Sequence, residues 1–160
     1  MMIKSICVKQ AGKKGKGVFA AKDFKKEELI VKGKKGKIFH TKTARKLSRD
    51  DKIHLNELDK DKWEIMGVPE RFINHSCDPN AIPKGRSYFA SKSIKSGQEI
   101  TVDYRISAYT KQKWKCHCNS KNCTGWVISD FFSMPEKLQK KYLPFTLKFI
   151  KKEYKKRHSK

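Results

Sequence analysis

Three cysteines fall within eight residues in Cys116-His117-Cys118-Asn119-Ser120-Lys121-Asn122-Cys123, a spacing that suits a metal ion. A tight loop turns such side chains inward, so three thiolates can face one cation, and a closed tetrahedral zinc site then needs a fourth ligand. His117 is the local candidate, but ligands on both sides of it turn its ring away. Cys77 is the better candidate, because it supplies the soft thiolate that zinc favours. Zn2+ held by Cys77, Cys116, Cys118 and Cys123 would staple the C-terminal part of the chain onto the Asn74–Asn80 loop. The bland alternative is four unpaired buried cysteines. Cys7, between Ile6 and Val8, alternates like a strand residue and reads as core packing.

Other residues gain meaning from their company. Arg71-Phe72-Ile73-Asn74-His75-Ser76-Cys77-Asp78-Pro79-Asn80 is a dense run of polar and turn-forming types. Tyr104 follows Asp103 at the end of an apolar strand, where a tyrosine is ordinarily amphipathic core. Gly15-x-Gly17-x-x-Ala20 meets a loose dinucleotide fingerprint, yet Lys9–Lys14 before it is no buried strand. Those glycines fit a backbone that approaches some ligand closely, with a plain surface turn as the alternative.

The elements that must position these groups are short. Strand-like pieces lie around Ile3–Val8, at Val18-Phe19-Ala20, Glu28–Val31, Tyr88-Phe89-Ala90 and Ile100-Thr101-Val102, with turns between them. Residues 41–64 are polar, weakly helical at first, with little to bury. Ser133-Met134-Pro135-Glu136 offers a capping box opening a helix with Leu138 and Tyr142 on one face. Pro144 ends it, and a last basic helix carries Leu147, Ile150 and Tyr154. The fold class expected is mainly β with short helices.

The chain has 160 residues, enough for one domain with a small appended module. Hydrophobic residues make up 37% and charged residues 34%, so the core is modest and a metal or ligand is expected to support it. No apolar run approaches a membrane span, and the start lacks a secretory segment. The expectation is a soluble protein without a membrane partner, cytoplasmic or nucleoid-associated in a bacterium or archaeon and nuclear in a eukaryote. The formal charge of +23 attracts polyanions in a salt-dependent way, without itself supplying a reading mechanism. A local exception lies between residues 50 and 64, where six acids stand against three lysines.

Taken together, these segments resemble the SET-domain protein lysine methyltransferases. Gly15–Ala20 resembles the first cofactor-binding turn of that family and Arg71–Asn80 the second. Gly97-Gln98-Glu99-Ile100-Thr101-Val102-Asp103-Tyr104 is similar to the segment ending in the catalytic tyrosine. Cys116-x-Cys118-x4-Cys123-x-Gly125 resembles the post-SET zinc module, whose fourth ligand matches Cys77. The brevity and the tail look most like small bacterial SET proteins. The resemblance implies a β-clip-like fold of small curved sheets with a knot-like crossing and a zinc-binding C-terminal segment. It divides the chain into a SET domain over 1–110 with a variable insertion at 41–64, a post-SET module over 111–126 and a basic helical tail over 127–160.

The resemblance further implies S-adenosylmethionine as methyl donor, held by Lys16, Gly17, Val18, Arg71, Asn74 and His75, with Trp126 covering the adenine. Tyr104 would be catalytic, and Val102, Tyr104 and Trp126 would line the channel for the target lysine. Three departures stand out: Lys16 replaces a frequent aromatic, Val102 replaces a Phe or Tyr that often limits the methylation state, and the 41–64 insertion shows no clear match to the family. The family's insertion forms one side of the peptide groove, so Asp59, Asp61 and Glu64 are expected to make that groove negative; the bland alternative is a solvated loop whose acids merely relieve repulsion. The expected substrate is a lysine in a basic, nucleic-acid-associated protein, with the basic flanks docking on the nucleic acid. The competing reading is a non-enzymatic, zinc-stapled nucleic-acid-binding protein.

Overall fold

The computed structural model describes residues 2–3 and 5–159. Its N-terminal half is a succession of short strands: β1 (Met2–Ile3), β2 (Ile6–Gln10), β3 (Lys16–Ala20), β4 (Leu29–Lys32) and β5 (Ile38–His40). Two single-turn helices, α1 (Thr41–Ala44) and α2 (Arg49–Lys52), precede a hairpin of β6 (Leu55–Asp59) and β7 (Lys62–Ile65). Then come β8 (Asn74–His75), β9 (Ala81–Lys84), β10 (Ser87–Ala90), β11 (Glu99–Val102), β12 (Tyr109–Lys115) and β13 (Trp126–Asp130). Two helices, α3 (Glu136–Tyr142) and α4 (Lys148–His158), close the chain.

These strands make four small sheets, in the orders β1-β2-β3-β11-β8, β4-β10-β9, β5-β7-β6 and β12-β13. Alternation drives the first two together, because every second residue of a strand faces the same side. Ile6, Val18, Ala20 and Ile100 point inward and meet Phe24, Ile30 and Ile94 in one core. A second core forms where Phe131, Met134, Tyr142, Ile150 and Tyr154 pack the two C-terminal helices onto Ile106. The third is small: Cys77, Cys116 and Val127, with Trp114 against them. This predominantly β architecture with short helices agrees with the fold class read from the sequence.

In the first sheet β8 and β11 pair in parallel, Asn74 opposite Thr101 and His75 opposite Val102. Asn80 reinforces that meeting: its amide donates to Glu99 O and its carbonyl oxygen accepts the Thr101 N–H, both at 2.8 Å. The Asn74–Asn80 run is thus fastened to the strand that ends at Tyr104.

Two local expectations require correction. Ser133 does not cap α3; its hydroxyl donates to Ile128 O and Asp130 O, and Pro135 precedes the helix without a side-chain cap. Residues 41–64 are less loose than their polarity suggests, because the β6–β7 hairpin joins β5 and buries Phe39, Ala44, Glu57 and Glu64. The last helix does turn Ile150 and Tyr154 inward, together with Phe149. No helix among the described residues is long and apolar enough to cross a membrane.

Candidate functional site

The four cysteines Cys77, Cys116, Cys118 and Cys123 converge, their sulfurs all within 4.8 Å of one another. Tetrahedral Zn–S bonds of about 2.3 Å place sulfurs roughly 3.8 Å apart, and Cys77 and Cys116 are already at 4.0 Å. The chemistry of the donor set agrees with a cation: burial pushes the Cys77 thiol up, a penalty that a bound metal reverses. The Gly125 N–H donates to Cys123 Sγ at 3.4 Å, and Gly125 reaches that position with φ 75°. His117 is exposed and stands outside the cluster, whereas Cys7 is half-buried in β2.

From this cluster a chain of contacts leads to Tyr104. His75 is buried, with Nε2 3.4 Å from Cys77 Sγ and Nδ1 accepting the Tyr104 N–H at 3.2 Å. Burial holds its imidazole down at about 4, against the nearby Asp103 carboxylate, so the ring is neutral and Nε2 carries the proton. Asp103 is itself enclosed and ion-paired with Arg105 Nη2 at 2.7 Å. The Tyr104 hydroxyl donates to Ile73 O at 2.8 Å; the residue is 37% exposed where it borders open space, yet the protein crowded around its hydroxyl pushes the pKa above the usual phenol value. Its ring lies 5.4 Å from that of His75 and 6.3 Å from that of Trp114.

The other residue of β8, Asn74, reaches the first glycine turn. The Asn74 amide donates to Lys16 O at 3.0 Å and to Glu99 Oε1 at 2.8 Å, while Lys14 pairs with Glu99. Val18 is fully enclosed in the core, and the Lys16 amine sits 5.4 Å from the centre of the Phe72 ring. Gly17 is required by crowding: a Cβ there would meet Ala11 Cβ and Glu99 Oε1 at 2.8 Å and Asn74 Nδ2 at 3.0 Å. Gly17→Ala is therefore expected to destabilise the fold by about 1–3 kcal/mol. Denaturant unfolding reads that loss, and an unchanged midpoint would remove the packing argument.

A cleft of about 1010 Å3 opens between residues 41–64 and the side of the first sheet that carries Tyr104. Arg71, Val102, Tyr104, Trp114, Glu57 and Trp63 are among its walls. Arg71 is anchored by donating from Nε to Met66 O at 3.0 Å. Trp126 stands elsewhere, 51% exposed on β13 with the Lys113 amine over its ring, and the aromatic beside Tyr104 is Trp114.

The expected negative groove is not built from Asp59, Asp61 and Glu64. Glu64 is buried because the neighbouring loop needs an acceptor: it takes the Gly36 N–H at 2.7 Å and pairs with Arg86 at 2.9 Å. Asp61 accepts the Thr41 N–H at 2.9 Å and meets His40. None of the three lines the cleft, whose walls include the cations Arg45, Lys52, Lys60 and Arg86. The acid of this strip that does face the cleft is Glu57, which the sequence reading did not single out. Burial pushes its carboxyl up to about 7, against the pull of the Tyr109 N–H, with Asp130 adding to the rise.

Comparison with known proteins places these groups in context. Residues 15–105 match the family described as SET domain. The chain is 30% identical over 131 residues to the human histone-lysine N-methyltransferase SETD2, covering 72% of this chain and 5% of that protein. It is 32% identical over 130 residues to the H3 lysine-36 specific histone-lysine N-methyltransferase of Saccharomyces cerevisiae, covering 71% of this chain and 18% of that one. The chain thus spans a small part of the curated relatives it matches. Among solved structures, the methyltransferase domain of human SETMAR superposes with a TM-score of 0.61 at 22% identity, covering 78% of this chain and 58% of that one.

Proposed function

The chain belongs to the SET-domain family, and from that premise we propose that it transfers a methyl group from S-adenosylmethionine to the side-chain amine of a lysine in a protein. The observation that carries this reading is Tyr104, whose hydroxyl proton is given to Ile73 O while the residue borders the cleft. Bound S-adenosylmethionine would supply an electrophilic sulfonium methyl. Residues suited to hold it adjoin Tyr104. Strand β8 is the edge of its sheet, so its outer side has no strand partner among the described residues. The Lys16–Gly17 turn is bonded to that strand through Asn74, and Arg71 lies just before it. The four thiolates fit Zn2+, which would hold the β12–β13 hairpin against this site.

The residues present can do the remaining work. With its own proton committed to Ile73, the Tyr104 oxygen keeps lone pairs for an amine N–H. That contact orients a lysine amine so that its nitrogen lone pair is free to attack, which is preorganisation. The amine must be neutral, and apolar walls such as Val102 and Trp114 disfavour its charged form. Water can then carry the proton away. Tyr104 itself is no base at neutral pH, because a phenol is protonated there and its surroundings only raise its pKa further.

We assign the acceptor to the class of basic proteins that accompany nucleic acid. What supports this is the charge of +23 and an exposed lysine loop at residues 32–37. Glu70 accepts the Lys34 N–H of that loop at 3.2 Å and Glu64 the Gly36 N–H, so its lysines are presented on a fixed backbone. Incubating the protein with isotope-labelled S-adenosylmethionine and a cell extract, followed by mass spectrometry, should find label on lysine amines of basic proteins. Absence of any labelled lysine, with cofactor bound or not, would return the protein to the class of zinc-stapled nucleic-acid binders.

A further inference from the structure

Glu57 is 6% exposed, faces the cleft, and spends one oxygen, Oε2, in accepting the Tyr109 N–H at 2.6 Å. Its Oε1 has no partner among the described residues. It is not sealed away either, since the unpartnered side-chain atom that is fully enclosed among these residues is Thr146 Oγ1. Oε1 therefore opens into the cleft. No cation is paired with Glu57 among the described residues; the charged neighbour that acts on it is another acid, Asp130, which is occupied in accepting the Phe132 N–H at 3.1 Å. The other carboxylates of the cleft differ: Asp103 is ion-paired with Arg105, and Glu70 turns Oε1 to the Lys34 amide. A carboxylate that is more than nine-tenths buried, beside a second acid and without a counter-charge, is costly unless a cation arrives or it takes up a proton.

The geometry points to Glu57 as the receptor for a cationic side chain of the substrate protein, an arginine or lysine that neighbours the target lysine. This deepens the methyltransferase reading and rests on it for what enters the cleft. The surroundings sharpen the choice. Arg45, Lys52 and Lys60 line the same cleft and repel a basic side chain elsewhere in it, whereas Arg86 is neutralised by Glu64, so Glu57 sets the register in which a basic peptide lies. The receptor is rigid, because Tyr109 is braced edge-on by Phe132 at 6.1 Å and by Phe149 at 5.6 Å. A free oxygen aimed at the cleft suits the ammonium of lysine or one arm of a guanidinium.

The alternative role is a clasp, since the Tyr109 bond ties β6 to β12. Glu57→Gln separates the two: its amide oxygen still accepts the Tyr109 N–H, its volume is unchanged, and only the charge is lost. The test uses lysine-centred peptides carrying one arginine, or citrulline in its place, at each flanking position. Binding is read by fluorescence anisotropy and methylation by mass spectrometry, with thermal unfolding confirming that the variant folds. At one flanking position the parent should prefer arginine over citrulline about tenfold or more, and Glu57→Gln should erase that preference while binding the citrulline peptide as the parent does. If the variant weakens both peptides equally, or the parent shows no preference at any position, the receptor assignment is overturned even where methylation proceeds. If the charge-dependent preference is seen in binding but no peptide is methylated, the receptor stands and the methyltransferase reading falls.

Discussion

Stripping the metal is expected to disorder the β12–β13 hairpin and abolish activity in a single transition. The apolar packing of this module is too small to order it alone. Val127 is its wholly buried aliphatic side chain, contributing about 1.5–3 kcal/mol. Fixing the backbone of residues 116–126 costs about 1–2 kcal/mol per residue, on the order of 10 kcal/mol in all. Binding energy at a four-cysteine zinc site is folding energy of comparable size, and it is the term that closes the gap. The effect should reach the reacting end of the site. Cys77 touches the His75 ring, and that ring receives the Tyr104 N–H. Chelation should therefore change Trp114 and Trp126 fluorescence, speed hydrogen exchange over residues 109–130 and stop methyl transfer together. Cys118→Ser should lower metal content and stability, whereas Cys7→Ser, at a half-buried position outside the cluster, should leave both unchanged. Gently purified protein that holds no stoichiometric metal yet keeps a protected hairpin would count decisively against the assignment.

Much of this arrangement can be read in the sequence, for identifiable reasons. The cysteine cluster is legible because metal ligation demands particular side chains at short spacing, and the three local cysteines met Cys77 as their types suggested. Strands β2, β3, β4, β10 and β11 are legible because β-branched and aromatic residues alternate between turns, as at Val18, Ile30 and Ile100, whereas β8 and β9, short and set among polar and proline residues, are not. Residues 41–64 were not, since their stability comes from partners far along the chain. Nothing local marks Glu64 as buried; its reason for being inside is Arg86 and the Gly36 amide. Read as surface charge, it belongs to an acidic strip, and the structure instead spends it on a loop.

Glu57 shows the same limit at the site itself. In Leu55-Asn56-Glu57-Leu58-Asp59 it looks like one more solvated acid, and only the pairing of β6 with β7 and its bond to Tyr109 turn it into the cleft. A signal was available in Lys60-Asp61, a polar pair between two strand-like runs that can close a hairpin. The aromatic beside Tyr104 was obscured differently. Trp114 and Trp126 lie on paired strands only one register step apart, Trp114 opposite Val127 and Trp126 opposite Lys115. Strand period alone does not say which ring faces the cleft, because that depends on where the metal cluster pins the hairpin.

Tyr104→Phe should lower turnover by about a hundredfold while leaving the fold and the binding of S-adenosylmethionine nearly intact. The substitution keeps the ring and so keeps its packing against His75 and Trp114. It removes one hydrogen bond, to Ile73 O, at a cost of about 1 kcal/mol in stability. It also removes the oxygen that would accept the amine N–H, and with it the fixed orientation of the nucleophile. Loss of one preorganised polar contact at a reacting centre ordinarily costs about 100-fold to 1000-fold in rate. The loss should fall on kcat, because the contact matters most when the amine is aligned for transfer. Raising the pH should not rescue the variant: the missing group is protonated throughout the neutral range in the parent and does not act as a base there. The measurement pairs steady-state methylation across pH 6 to 9, a range chosen on the order of the physiological one, with direct titration of S-adenosylmethionine. Parental turnover in Tyr104→Phe would remove Tyr104 from the chemistry. A fall in cofactor affinity equal to the fall in rate would make it a binding residue, and a variant that regains activity at high pH would point to a proton-transfer role instead.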